Sequence, residues 1–213
     1  MRTDDLVDML ATGAGAVAPN AAARRYAAAI GWGALGAALL MGILLGVRRD
    51  LGVAVLLPMF WVKLAFVACL AAASLLAVLR LSRPGLRLAW VPGALAAPVL
   101  AMWVLAAFAL MRTQPAQRAW LFFGDTWTSC PFLVALLSAP VFAAVLWATR
   151  GLAPTRLRLA GAAAGLLSGA VGALVYSLHC PELEAPFLGF WYLLGMLIPT
   201  AAGALLGPRL LRW

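Results

Sequence analysis

Charge is scarce in this chain. Asp, Glu, Lys and Arg make up 11% of its 213 residues, and only seven of those residues are acidic. Histidine occurs once and cysteine three times. Each shortage excludes something. There is no CxxC, and only two cysteines lie near the ends of apolar runs, so a quinone-coupled thiol oxidase is disfavoured. Few charges fall inside the apolar runs, which leaves little from which to build an ion relay. Between those runs no stretch exceeds about 25 residues, too short to own a hydrophobic core. No internal repeat stands out, so a transporter built from inverted repeats loses its usual sequence pointer. The N-terminus carries Asp4, Asp5 and Asp8 where a cleavable secretory signal would want positive charge.

What the chain does have is apolar surface. It is 65% hydrophobic with a mean hydropathy of +1.00, against roughly half apolar for soluble proteins. Runs of 18 or more apolar residues read as membrane-spanning helices. Six are expected, at about 26–47, 58–79, 89–111, 131–149, 159–178 and 186–207. The second run is apolar from Leu51 and contains Pro58, where a bend is expected. The expected fold is therefore all-α: a six-helix transmembrane bundle over 26–213, preceded by a tail over 1–25.

The positive charge sorts by loop. Arg2, Arg24, Arg25, Arg80, Arg83, Arg87, Arg150, Arg156, Arg158, Arg209 and Arg212 fall on one side of the six spans. Arg48, Arg49, Arg112 and Arg118 fall on the other. Cytoplasmic loops collect Arg and Lys, so both termini are expected in the cytoplasm of a bacterial inner-membrane protein. The sequence pI near 11.0 then reflects topology, with the bilayer rather than nucleic acid as the partner. Asp50, Asp125, Glu182 and Glu184 fall on the outer side. Trp61, Trp120, Trp127, Trp191 and Tyr192 read as an outer aromatic belt, and Trp90, Trp147 and Trp213 as an inner one. Gly161, Gly165 and Gly169, with Gly42, Gly46, Gly203 and Gly207, recur at four-residue spacing. Such glycines suit close helix packing within the chain or a face for a second copy.

The rare reactive side chains fall into two short stretches, TSCPF at Thr128–Phe132 and HCPELEAPF at His179–Phe187. Cys130 opens the fourth span and Cys180 closes the fifth. A short connection makes those spans antiparallel neighbours, so the two sulfurs return to similar depth. Pro131 suits the first turn of a helix and suggests Cys130 as its N-cap. Pro181 turns the chain away after Cys180. Three readings stay open. A structural disulfide would close a loop of about 50 residues, worth about 4 kcal/mol in the chain-entropy model. A sensor would use the two thiols toward oxidants, or toward a soft metal ion with His179 as third ligand and Asp125, Glu182 and Glu184 nearby. The third is catalytic thiol exchange. No obligatory cofactor is implied. Cys69, mid-span among alanines, reads as buried and inert.

Lys63 is the only lysine and lies within the second span. It either snorkels to the surface beside Trp61, pairs with Asp50, Asp125, Glu182 or Glu184, or lines an ion pathway. A charge left deep in the span costs about 3 kcal/mol or more. The tail is expected to form a helix over about 3–12. Thr3 caps it, Asp4 and Asp5 occupy the first turn, and Leu6, Met9 and Leu10 share a face with Val7 beside them. Gly13 is a natural stop. So short a helix needs a partner. Its aspartates would be repelled by an anionic leaflet, which favours a protein groove with basic character over a loose or interfacial tail, the alternative that stays open.

Five pieces, in order along the whole chain, resemble one family. They are TDDLVDMLA (Thr3–Ala11), the RRDL containing Arg49, Asp50 and Leu51, the FWVK ending at Lys63, the SCP containing Cys130 and the HCPE containing Cys180. The chain resembles the NrsF-like membrane anti-sigma factors, six-span bacterial inner-membrane proteins. Cys69 is not part of that pattern. The resemblance implies a regulator without catalysis that holds an extracytoplasmic-function sigma factor away from RNA polymerase. It implies that Cys130 and Cys180 read metal or oxidative stress, and that the tail around Asp4, Asp5, Leu6 and Leu10 docks the sigma factor. A small transporter using Lys63 and the outer acids, or a thiol–disulfide membrane protein, is the competing expectation.

Overall fold

The computed structural model describes residues 2–12, 20–83, 85–152 and 154–212, and among them no strand occurs. A short helix α1 (Thr3–Thr12) is followed by α2 (Ala21–Leu44), the single turn α3 (Leu51–Ala54) and α4 (Pro58–Leu81). Then come α5 (Val91–Arg112), a short α6 (Pro115–Phe123), α7 (Cys130–Arg150), α8 (Leu157–Tyr176) and α9 (Ala185–Leu210). Six of them, α2, α4, α5, α7, α8 and α9, are long and apolar enough to cross a membrane. Lipid offers no hydrogen bonds, so helices that satisfy their own backbone are the solution such a sequence reaches.

Local chemistry sets the ends. The first span runs Ala21–Leu44 rather than 26–47, because Gly46 adopts φ +74° and both Leu45 and Gly46 donate to the Met41 carbonyl. Leu57, ahead of Pro58, is extended, which breaks the second apolar run into α3 and α4. Trp61 Nε1 donates to the Val55 carbonyl across that break. In α1 the first helical residue is Thr3, and the capping bond comes from elsewhere: the Arg2 amide donates to Asp5 Oδ2 at 3.1 Å. Gly13 lies outside the described residues.

The centre of the bundle is α8, whose small residues let neighbours touch its backbone. A Cβ on Gly161 would strike the Gly203 carbonyl of α9, one on Gly165 the Pro199 carbonyl, and one on Gly172 the Ser138 backbone of α7. Gly33 of α2 meets Val141 of α7 in the same way. Gly161, Gly165, Gly169, Gly203 and Gly207 are thus spent on packing inside one chain, while Gly42 faces open space. α5 is the outlier and buries only Val91, Met102 and Ala106. Cys69 is exposed on the bundle surface in the groove between α4 and α5, so the expectation that it is buried fails. Its position on α4 turns it away from the core side that carries Phe66, Val67 and Leu70.

Each end of the bundle has its own polar anatomy. At the arginine-rich end the buried Tyr26 hydroxyl is hydrogen-bonded to Ser82 Oγ at 2.8 Å and donates to Thr149 Oγ1 at 3.0 Å, joining α2, the end of α4 and α7. Arg25 lies over the Trp147 ring and Arg80 over Trp90. The opposite end holds Cys130 and Cys180.

Candidate functional site

Four spans meet at the thiol end. α7 starts at Cys130, and the residue ahead of it, Ser129, occupies the cap position that the sequence assigned to Cys130. The Cys130 amide is already used, donating to the Thr126 carbonyl at 2.9 Å. α8 ends at Tyr176, and the amides of His179 and Cys180 both fold back onto the Tyr176 carbonyl. This turn lays Cys180 against the start of α7. Both cysteines are free thiols and both are fully buried. No disulfide joins them.

Cations reach this turn from two directions. Lys63 on α4 is 0% exposed, and its ammonium donates to the carbonyls of Cys180 and Glu182, each at 3.0 Å. It lies 4.8 Å from the centre of the Tyr192 ring. Arg48 Nη1 donates to the same Cys180 carbonyl at 3.2 Å. The rest of the Arg48 guanidinium grips both oxygens of Asp50, at 2.8 and 2.6 Å. That grip holds the Asp50 carboxyl well down, to about 2. Lys63 therefore neither snorkels to the surface nor pairs with a carboxylate. Backbone carbonyls of the Cys180–Glu182 turn take the place of both partners, because that turn drops into the bundle at the depth of Lys63.

The Cys180 sulfur is under opposing pulls. Burial pushes the thiol up, but the neighbouring Cys130 thiol, the Lys63 ammonium, the Tyr192 hydroxyl and the Glu182 amide together outweigh it and bring it down to about 5. Tyr176 and Tyr192 wall the site, both buried, with ring centres 5.8 Å apart. The Tyr192 hydroxyl has no nitrogen or oxygen partner and faces the Cys180 thiol. Tyr192 was expected in the interfacial belt. A π-helical turn over Leu188–Tyr192 rotates it into the core instead.

The remaining candidates divide. Glu182 is 8% exposed, and its carboxylate accepts from the Asp125 amide at 2.9 Å and from Thr126 Oγ1 at 3.3 Å. It packs so tightly on Gly124, at φ +54°, that a Cβ there would meet the carboxylate at 2.7 Å. Glu182 thus locks the 124–126 turn rather than facing the thiols. Asp125 contributes its amide while its side chain is exposed. Glu184 is half-buried, and its carbonyl accepts from the Leu188 amide in the first turn of α9. His179 Nδ1 is bonded to the Gly46 carbonyl at 2.9 Å, tying the turn to the end of α2. Among the described residues no three of His, Cys, Asp and Glu gather around one point where a metal ion could sit. Arg48, Tyr176 and Tyr192 were missed as site residues. The Arg48-Asp50 spacing was the one signal that could have pointed to the first.

Beside the thiols sits an aromatic cluster of Phe122, Phe123, Trp127, Phe190 and Trp191, with Trp191 Nε1 donating to the Phe122 carbonyl. At the far end of the chain, Asp4, Asp5, Leu6, Met9 and Leu10 of α1 are all exposed, as is Thr3, and no α1 residue is buried.

Fold and site together define a multi-pass membrane protein in which, among the described residues, a buried thiol pair lies beside a buried cation. The family model described as negative regulator of sigma F matches residues 10–213, and the chain belongs to that family. It is similar along its full length to the probable anti-sigma-F factor NrsF of Azospira oryzae, with 68% identity over 213 residues covering 100% of both chains. It is 46% identical over 217 residues, again covering all of both chains, to the anti-sigma-F factor NrsF of Caulobacter vibrioides. No solved structure matches it.

Proposed function

We propose that this chain is an inner-membrane anti-sigma factor that retains an extracytoplasmic-function sigma factor at the membrane and releases it when the Cys130–Cys180 pair is oxidised. The anti-sigma role rests on the family and on the names of its two relatives. The arginine asymmetry supports cytoplasmic termini, which puts α1 on the side of the sigma factor and the thiols on the oxidising side. The observation that carries the sensing step is the meeting of two thiols, distant in sequence, in one buried pocket built by α4, α7, α8 and α9. Two adjacent thiols without a third ligand suit disulfide chemistry better than metal capture.

α1 supplies the docking face. Leu6 is 38% exposed, Met9 60% and Leu10 65%, on a helix too short to persist without a partner. Asp4, Asp5 and Asp8 flank this face and select a partner surface with basic character.

The test uses co-purification from membranes. Deleting residues 2–12 should abolish capture of the sigma factor while the bundle still accumulates. Cys130→Ser and Cys180→Ser should keep capture and lose oxidant-induced release. Release that persists in both serine variants removes the sensing step, and capture that survives the deletion removes α1 as the docking element.

A further inference from the structure

We propose that Lys63 is a positioning residue of the thiol pair, holding the Cys180–Glu182 turn against α4 and standing as the positive partner of an ionised Cys180 sulfur. The inference rests on the oxidation reading above. Its starting point is an imbalance. Lys63 is fully buried within a span, and among the described residues the one ion pair is Arg48–Asp50, which does not include it. A buried ammonium bonded only to neutral carbonyls is costly. The groups facing it are Cys130 from α7, Tyr192 from α9, Cys180 from the intervening turn and the Arg48 guanidinium, with Tyr176 of α8 against the two thiols and the Glu182 carboxylate turned away toward Asp125 and Thr126. Of these, only a thiol readily supplies a negative charge near neutral pH. Tyr192 places a π face over the ammonium at 4.8 Å and its hydroxyl toward Cys180, so one side chain lines both halves of the pair.

The chemistry is balanced with a peroxide as oxidant. The Cys180 thiolate attacks one peroxide oxygen, the O–O bond breaks, and the leaving hydroxide takes up the proton that Cys180 released on ionising, giving a sulfenic acid at Cys180 and one water. Cys130 then attacks that sulfur, the S–O bond breaks, and the leaving hydroxide takes the Cys130 proton. The sum is two thiols and one peroxide to one disulfide and two waters. Lys63 keeps its proton throughout and loses its negative partner. The disulfide state therefore leaves a buried charge unbalanced on α4, the helix whose other end leads into the Tyr26–Ser82–Thr149 cluster.

The test is the pH profile of thiol oxidation in the full-length protein in nanodiscs. Hydrogen peroxide is added between pH 5 and 9.5, and free thiols at 130 and 180 are counted by mass spectrometry after denaturation and iodoacetamide. The wild-type rate should rise with a midpoint below about 7, against about 8.5 for an unperturbed thiol. Lys63→Gln should raise that midpoint by about one unit or more and slow oxidation at pH 7 about tenfold. Lys63→Arg should restore the midpoint. An unchanged midpoint in Lys63→Gln overturns the proposal. So does a wild-type midpoint near 8.5, which is read on the native chain and holds even if the variant fails to accumulate. Either result leaves oxidant-induced release through the cysteines standing, so the two readings fail separately.

Discussion

The two ends of the bundle solve the problem of polar groups near lipid in opposite ways. At the thiol end the polar atoms close on one another. Lys63, Arg48, Glu182 and His179 each reach across to a different chain segment, and all of their partners lie within the protein. At the arginine-rich end, apart from the buried Tyr26–Ser82–Thr149 cluster, the cations are mostly on the surface, and α1 makes none of the burial that would fix it. A closed end can hold a reactive sulfur away from bulk solvent until a small diffusible oxidant arrives. An open end can change partners without disturbing the bundle. The proposed function assigns reception to the first end and action to the second. Between them runs α8, packed backbone to backbone on α9 and α7. α4 carries Lys63 near one end and leads into Ser82 at the other.

Three variants sharpen this comparison. The largest effect should come between the ends. Gly161→Leu forces a side chain into the Gly203 carbonyl and should destabilise the bundle by about 3 kcal/mol or more, measured by unfolding in mixed micelles. A stable variant would show that α8 and α9 can part. Next, at the closed end, Glu182→Ala strips the Asp125 amide and Thr126 hydroxyl of their acceptor and should cost about 1.5–3 kcal/mol. Hydrogen exchange at the Asp125 amide should accelerate while amides at the arginine-rich end stay unchanged. Acceleration at both ends would dissolve the contrast. Smallest for stability, Leu6→Ser with Leu10→Ser at the open end should shift unfolding by no more than about 0.5 kcal/mol. The same pair should weaken sigma-factor capture tenfold or more in a pull-down. A stability loss above that bound would mean α1 is part of the bundle after all.

Much of the architecture was legible in the residues. Six apolar runs, the break before Pro58 and the amphipathic tail each follow from a local sum over neighbouring side chains. The neighbourhood of Cys130 and Cys180 was legible too, because a short connection forces α7 and α8 together. Individual partners were not. Lys63 reads as a surface anchor when only its own span is considered, and His179 as a ligand when only its neighbours in HCPE are. Tyr192 looks interfacial until a π-helical turn rotates it inward. Cys69 looks buried until the side of α4 it occupies is known. None of these rotations is written in hydropathy, which is blind to direction around a helix axis.

The sequence alone determined how many apolar spans the chain has, the break before Pro58, which end gathers arginine and that two thiols would lie close. These are sums of transfer free energies and chain-length constraints, additive along the chain. The tertiary structure decided that Lys63 would be held by the carbonyls of a turn more than a hundred residues away, that Glu182 would lock a loop and that His179 would bind the end of α2. Such choices depend on which backbone groups distant segments leave unpaired once the helices have packed, and no local sum contains that.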